Sequence, residues 1–280
     1  MAAIRSKNHK LIELLINKVS DFDVKDINFN NVFHVACNQN NAEVVNLLFG
    51  SKILTECSKN TSIDANIEKI DLLNQKNKHN ATPLEIAIKR NNIEIVKRLL
   101  AAGANPDVLN SKGKHLLEQA IFIGNAAIVK LLLASESRDN EKIRDLSLFL
   151  RTAIIQSHHE IALMLISHCT AMGQISEIDK GDDFGQTPLM LAAQEQDTKL
   201  ITTILESGAN INAQNNDGYT VLHYALKNKN KNLSKYLIEK GIDPRAGNFN
   251  FSSALALARH SGDSLAEKYI RSTMKKGDTY

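Results

Sequence analysis

Tryptophan is absent from these 280 residues, proline occurs four times, and aromatic side chains make up only 5%. A core without large rings has to be assembled from thin layers of Leu, Ile, Val and Ala, and a hydrophobic fraction of 43% is ample for that. Cysteine is scarce as well. Cys37, Cys57 and Cys169 are an odd number with no CxxC pair, which argues against a disulfide framework or a zinc ribbon and fits a reducing, cytoplasmic setting. No apolar run approaches the roughly 18 residues of a membrane-spanning helix. The stretch from Leu11 to Ile16 carries Glu13 and lacks a small-residue cleavage pattern, so it is not read as a signal peptide. Nor is there an excess of either charge. Thirty-four basic residues against 31 acidic ones leave +3, too little to imply nucleic acid.

What the sequence does have is repetition. Ala81-Thr82-Pro83-Leu84-Glu85-Ile86-Ala87 is echoed by Gln186-Thr187-Pro188-Leu189-Met190-Leu191-Ala192, and again, without the proline, by Tyr219-Thr220-Val221-Leu222-His223-Tyr224-Ala225. Taking an apolar residue and the alanine three positions later as markers puts the chain in register. The pairs are Phe33/Ala36, Leu84/Ala87, Leu117/Ala120, Leu150/Ala153, Leu189/Ala192, Leu222/Ala225 and Leu255/Ala258. Successive alanines are 51, 33, 33, 39, 33 and 33 residues apart, a 33-residue period interrupted by insertions of 18 and 6.

Each marker has a local reason. Thr82, Thr187 and Thr220 stand where a hydroxyl caps a helix, and Pro83 and Pro188 follow at the first helical position, where a missing N–H costs nothing. The alanine marks close helix packing, which a larger side chain would disrupt. Asn40, Asn91, Gly124 and Gly262 fall where the chain reverses, and these types tolerate positive φ. Second helices follow with apolar pairs at helical spacing, such as Ile95-Val96/Leu99-Leu100 and Ile128-Val129/Leu132-Leu133. Gly103, Gly208 and Gly241 then close three of the units.

This pattern resembles the ankyrin repeat, whose unit is a turn, T-P-L-H-x-A, a short helix, a second helix ending in Leu-Leu, and a Gly-Ala hairpin. The resemblance covers nearly the full length. It implies an all-α solenoid of helix-turn-helix units with short β-hairpin loops, about seven repeats plus a partial one at the N-terminus, in a single domain spanning residues 1–280. Insertions are expected at about 51–76, where Ile63 to Leu73 has helical character, and at about 169–182. Glu267 and Arg271 replace apolar positions of earlier units, as a terminal cap requires, and residues 275–280 read as a polar tail.

Catalytic and metal signatures do not survive inspection. Asp183-Phe184-Gly185 spells the kinase metal-binding triplet, yet it sits in a hairpin and no Gly-rich or His-Arg-Asp loop accompanies it. His158-His159-Glu160 has no second histidine at HExxH spacing. Asn215-Asn216-Asp217-Gly218 begins like a calcium loop, but Tyr224 stands where the closing Glu belongs. No enzyme, cofactor or metal is therefore expected. His34 and His223 match the family's T-P-L-H histidine, which the resemblance assigns to bonding within the stack.

The resemblance also implies where a partner would lie, across the hairpin tips and the exposed face of the first helices. Phe122, Ile123 and Ile155 occupy positions of that face usually taken by polar residues, and the hairpins supply Phe184, Tyr219 and Phe249. Exposed apolar side chains with aromatic anchors mark protein-binding surfaces. Beside them Lys78, Lys89, Arg90, Lys112 and Lys114 form a basic flank suited to an acidic partner segment. The expected partner is another protein with an acidic or apolar segment, bound by a monomer. The alternative is electrostatic binding of nucleic acid or anionic lipid through the basic flank. With 25 Lys and 29 Asn, the composition and repeats together resemble host-directed effectors of some intracellular bacteria, which would be delivered into a host cell.

Overall fold

The structure is a computed structural model that describes residues 2–6, 9–16, 24–50, 71–135, 145–245 and 251–277. The chain divides into two compact units, residues 1–141 and 142–280. The described secondary structure is helical, and β pairing among the described residues amounts to one antiparallel bridge between Leu109 and His115. The described hairpin loops are thus tight turns closed by their own hydrogen bonds.

In the first unit the helices are α1 (Ala2–Ser6), α2 (His9–Ile16), α3 (Val32–Asn38), α4 (Ala42–Gly50), α5 (Pro83–Lys89), α6 (Ile93–Ala101), α7 (Leu116–Ile123) and α8 (Ala126–Ala134). First helices pack on first helices, α3 on α5 and α5 on α7, while second helices pack on second helices, α4 on α6 and α6 on α8. The opening segment keeps parts of both layers, because α1 packs on α3 and α2 on α4.

The second unit holds α9 (Leu146–Ile155), α10 (His159–Ala171), α11 (Ser176–Asp179), α12 (Pro188–Gln194), α13 (Thr198–Glu206), α14 (Val221–Lys227), α15 (Lys231–Glu239), α16 (Phe251–Ser261) and α17 (Ser264–Gly277). Here α9, α12, α14 and α16 form the first-helix layer, and α10 packs on α13 and α15 on α17 in the other. The helix α17 continues three residues into the stretch read from sequence as a tail. Of the two insertions, the shorter is accommodated by extending α10 to 13 residues and adding α11, whose Ile178 is fully buried. Most of the longer insertion, residues 51–70, lies outside the described residues. A helical turn at 71–74 follows it and buries Leu72 and Leu73.

All seven marker alanines have no exposed surface. Four residues after each, the backbone adopts positive φ: Asn40, Asn91, Gly124, Ser157, Gln196, Lys229 and Gly262, between 55° and 81°. One residue further on, an N–H bonds back to the alanine carbonyl, as in Asn41 to Ala36 (3.3 Å), Asn92 to Ala87 (3.2 Å), Asp197 to Ala192 (3.1 Å) and Asn230 to Ala225 (2.9 Å). That left-handed residue and its six-residue closure end the first helix in the Schellman manner. The side chain of the same Asn or Asp then caps the second helix. Asn41, Asn92, Asn125, Asp197, Asn230 and Asp263 each accept an N–H three residues on, at 3.0–3.1 Å. His158 holds this place in the fourth repeat without a side-chain cap.

First helices start as expected where Thr is present. Thr82 Oγ1 accepts from Glu85 N–H at 3.2 Å and Thr187 Oγ1 from Met190 N–H at 3.4 Å, while the Thr220 hydroxyl lies 3.1 Å from His223 Nδ1. In the fourth repeat Leu148 and Phe149 occupy the Thr-Pro places and cannot cap. The helix therefore begins about a turn earlier, with Asp145 Oδ1 accepting from Leu148 N–H at 2.9 Å.

Candidate partner-binding surface

The surface in question is made of turn tips and the last turns of the first helices. Ten residues before the marker alanine, an Asn or Asp folds the turn by accepting two backbone N–H groups with one side-chain oxygen. Asn77 accepts from His79 and Ala81, Asn110 from Lys112 and Lys114, Asp182 from Phe184 and Gln186, and Asn215 from Asp217 and Tyr219, at 2.8–3.1 Å. Three residues into each turn the backbone again takes positive φ, at Asn80, Gly113, Gly185 and Gly218. Adjacent turns are tied together within each unit. Lys78 N–H donates to Asn28 O at 2.8 Å, and Asn216 N–H donates to Phe184 O at 2.9 Å. The Asp183-Phe184-Gly185 triplet is thereby accounted for as a turn. A Cβ on Gly185 would stand 2.6 Å from Asn216 Oδ1.

The T-P-L-H histidine column does its work with several side chains. His34 Nε2 donates to Ala81 O of the next repeat at 2.9 Å, while its Nδ1 accepts from Asn31 N–H at 3.3 Å. Burial lowers its pKa, and burial lowers that of His223 to about 4. In the second repeat the column holds Glu85, buried, which accepts from Ser111 N–H and Oγ in the following turn. In the fourth it holds Arg151, also buried, whose Nη1 donates to Lys180 O at 2.8 Å and to Ser147 Oγ. His, Glu and Arg thus perform one task, joining a first helix to the loop that follows.

Two residues after the marker alanine lies the most outward position of this face. It is occupied by Asn38, Lys89 and Phe122 in the first unit and by Ile155, Gln194, Lys227 and His260 in the second. Phe122 is 64% exposed and Ile155 57%, while Ile123 is half-buried. Among the turn aromatics, Phe184 is 72% exposed, and Tyr219 leans on His223 with ring centroids 5.1 Å apart. Phe249 lies outside the described residues.

The basic flank is less basic than its residue count implies. Lys89 Nζ sits 2.5 Å from Glu85 and 3.1 Å from Ser111 Oγ, Lys114 pairs with Glu118, and Arg90 donates to Asn38 Oδ1 at 2.6 Å. Lys78 and Lys112 are exposed.

Sequence reasoning missed one feature of this face. In the second unit a half-open pocket of about 360 Å³ lies over α12, α14 and α16, with Gln194, His223, Tyr224, Lys227 and Leu257 from the helices and Gln186, Asn215, Asp217 and Tyr219 from the turns. Tyr224 is at its floor. Its hydroxyl accepts from Gln186 Nε2 at 3.1 Å and Asn215 Nδ2 at 3.2 Å, and burial raises its pKa. The only sign in the sequence is a tyrosine at the x position of T-P-L-H-x-A. Among the described residues no group of three or more His, Cys, Asp or Glu is placed to hold a metal, and no helix is long and apolar enough to cross a membrane.

Comparison with known proteins agrees with this architecture. The NF-kappa-B p105 subunit of Gallus gallus is 27% identical over 231 residues, covering 81% of this chain but 22% of its own length. An ankyrin repeat protein of Rickettsia felis is 26% identical over 204 residues, covering 72% of this chain and 52% of that one. The chain thus spans about a fifth to a half of these relatives. The crystal structure of the ankyrin repeat domain of Bcl-3 superposes with a TM-score of 0.62 at 23% identity, covering 85% of this chain and 97% of that one. The family described as ankyrin repeats (3 copies) matches residues 1–110, 56–145, 84–173 and 150–248, and the chain belongs to it.

Proposed function

We propose that this chain is a non-catalytic binding module that holds a partner protein on the concave groove formed by its first helices and turn tips. The supporting observation is the exposure of Phe122, Ile155 and Phe184 at register positions that carry Asn, Asp, Lys, Gln or His in other repeats. Large apolar side chains left in water at such register positions, in either unit, are what a protein partner would cover. Ankyrin repeats in general mediate protein–protein interaction, and Lys78 and Lys112 would favour an acidic stretch at the groove's edge.

The alternative, electrostatic binding of nucleic acid or anionic lipid through Lys78, Lys89, Arg90, Lys112 and Lys114, is the weaker reading. Glu85 and Glu118 offset two of those five cations. It requires affinity that falls steeply with salt. The buried free thiols Cys37 and Cys169 favour a reducing, cytoplasmic site of action, and the rickettsial relative favours delivery into a host cell. Phe122→Ala combined with Ile155→Ala is expected to abolish partner capture from a lysate without moving the thermal unfolding midpoint. Capture unchanged by the double substitution would remove this placement of the site.

A further inference from the structure

The pocket over Tyr224 has a polarity that its residue list does not reveal, because most of its acceptors are already used. Asn215 spends its carbonyl oxygen on Asp217 N–H and Tyr219 N–H, which forces its amide NH2 toward the Tyr224 hydroxyl. Gln186 donates to the same oxygen from the other side. A hydroxyl that accepts twice still has its own proton to give, and none of the described residues accepts it. Turning the Gln186 amide over would let the hydroxyl donate to it, but then two amide hydrogens would be left over in its place. Either arrangement leaves an unspent donor at the floor.

The walls add to this bias. Lys227 brings an ammonium from the last turn of α14 that is exposed and makes no ion pair among the described residues. Asp217 is the one carboxylate of the lining; it has an interaction of its own, and its charge and that of Asp182 are felt at the Tyr224 hydroxyl. Tyr219 and Tyr224 meet edge to face with centroids 6.5 Å apart, and Leu257 of α16 adds an aliphatic side chain to the lining, so part of the wall is apolar. An occupant therefore needs a short aliphatic stem and an acceptor-rich, anionic end.

We infer that this pocket receives a glutamate side chain of the partner, its methylenes between Tyr219 and Leu257 and its carboxylate on the Tyr224 hydroxyl and the Lys227 ammonium. The inference rests on the binding reading above and specifies one of its anchors. Asp217 at the rim opposes an anion, so its charge sets an upper limit on the affinity and gives the test a second direction.

The test titrates the whole chain with acetyl-Ala-Ala-Glu-Ala-Ala-amide and with its Lys and Gln counterparts, following the Gln186 and Asn215 side-chain amide signals by NMR. The Glu peptide is expected to shift both signals and to bind better than the other two. Tyr224→Phe and Lys227→Gln should each weaken it about tenfold, as loss of a charge-assisted hydrogen bond would. Asp217→Asn should strengthen it. Preference for the Lys peptide, weakening by Asp217→Asn, or no shift with the Glu peptide would overturn the inference. Because no partner is needed, such a failure is separable from failure of the groove reading, which the Phe122/Ile155 substitutions test.

Discussion

The Glu85 carboxylate, 1% exposed, accepts from the Ser111 N–H at 3.1 Å and from the Ser111 hydroxyl at 2.7 Å, fastening the first helix of one repeat to the turn of the next. In a repeat protein, stability is carried by such nearest-neighbour contacts. Glu85→Ala should therefore destabilise the fold by about 2 kcal/mol, and Ser111→Ala by about 1. Urea denaturation of the two variants and the double variant checks this. The combined loss should fall short of the sum, because both substitutions break the hydroxyl–carboxylate bond.

Lys229 sits at φ 55°, the position that Asn or Gly holds in four other repeats. Left-handed backbone costs a lysine roughly 1 kcal/mol, which glycine escapes at the expense of a more flexible unfolded chain. Lys229→Gly is expected to raise stability by about 0.5 kcal/mol, and Gly124→Ala, at φ 81°, to lower it by about 1. The midpoint of urea unfolding reports both signs.

How much was legible in the sequence differs by element. The marker alanines, the threonine caps and the turns at Asn40, Asn91, Gly124 and Gly262 follow from residue preferences that act locally, and so they could be read directly. Ser157, Gln196 and Lys229 take the same positive φ with no such preference, because the bond from the next residue to the alanine carbonyl imposes it, helped at Gln196 and Lys229 by the cap of the second helix. Glu85, Glu118 and Arg151 are residue types that signal surface, and their burial depends on turns 26 to 29 residues away or on a local lysine. The pairing of Lys89 and Lys114 was readable in principle, since both carboxylates lie four residues away along the chain. The Tyr224 pocket was not, because it takes three repeats to build.

Acid should weaken the fold through its histidines. His223 is neutral and buried, with a pKa lowered from 6.5 to about 4, and His34 is shifted in the same direction. Between these values the unfolded chain takes up protons that the folded one does not, so stability rises with pH. The His223 contribution is fully present above about pH 6.5 and is lost progressively toward pH 4, by up to about 1.4 kcal/mol per pH unit, and His34 acts in the same direction. Denaturant titrations at several pH values should show this slope, and His223→Gln should flatten it.

Gly185 combines φ 74° with a turn packed against its neighbour, where an added Cβ would lie 2.6 Å from Asn216 Oδ1 and 2.9 Å from Asn216 N. Gly185→Ala should cost about 2 kcal/mol or more, from backbone strain and overpacking together. Thermal unfolding measures it, and the loss should appear as a lower midpoint without any change in metal dependence.

Hydrogen exchange of the chain with and without a captured partner tests the groove reading most directly. Protection on binding is expected in the turns and in the last turns of the first helices, around Lys89, Phe122, Ile155, Gln194 and Lys227. Protection confined to the second helices, around Lys97, Lys130, Lys199 and Lys235, would place the partner on the opposite layer and contradict the account.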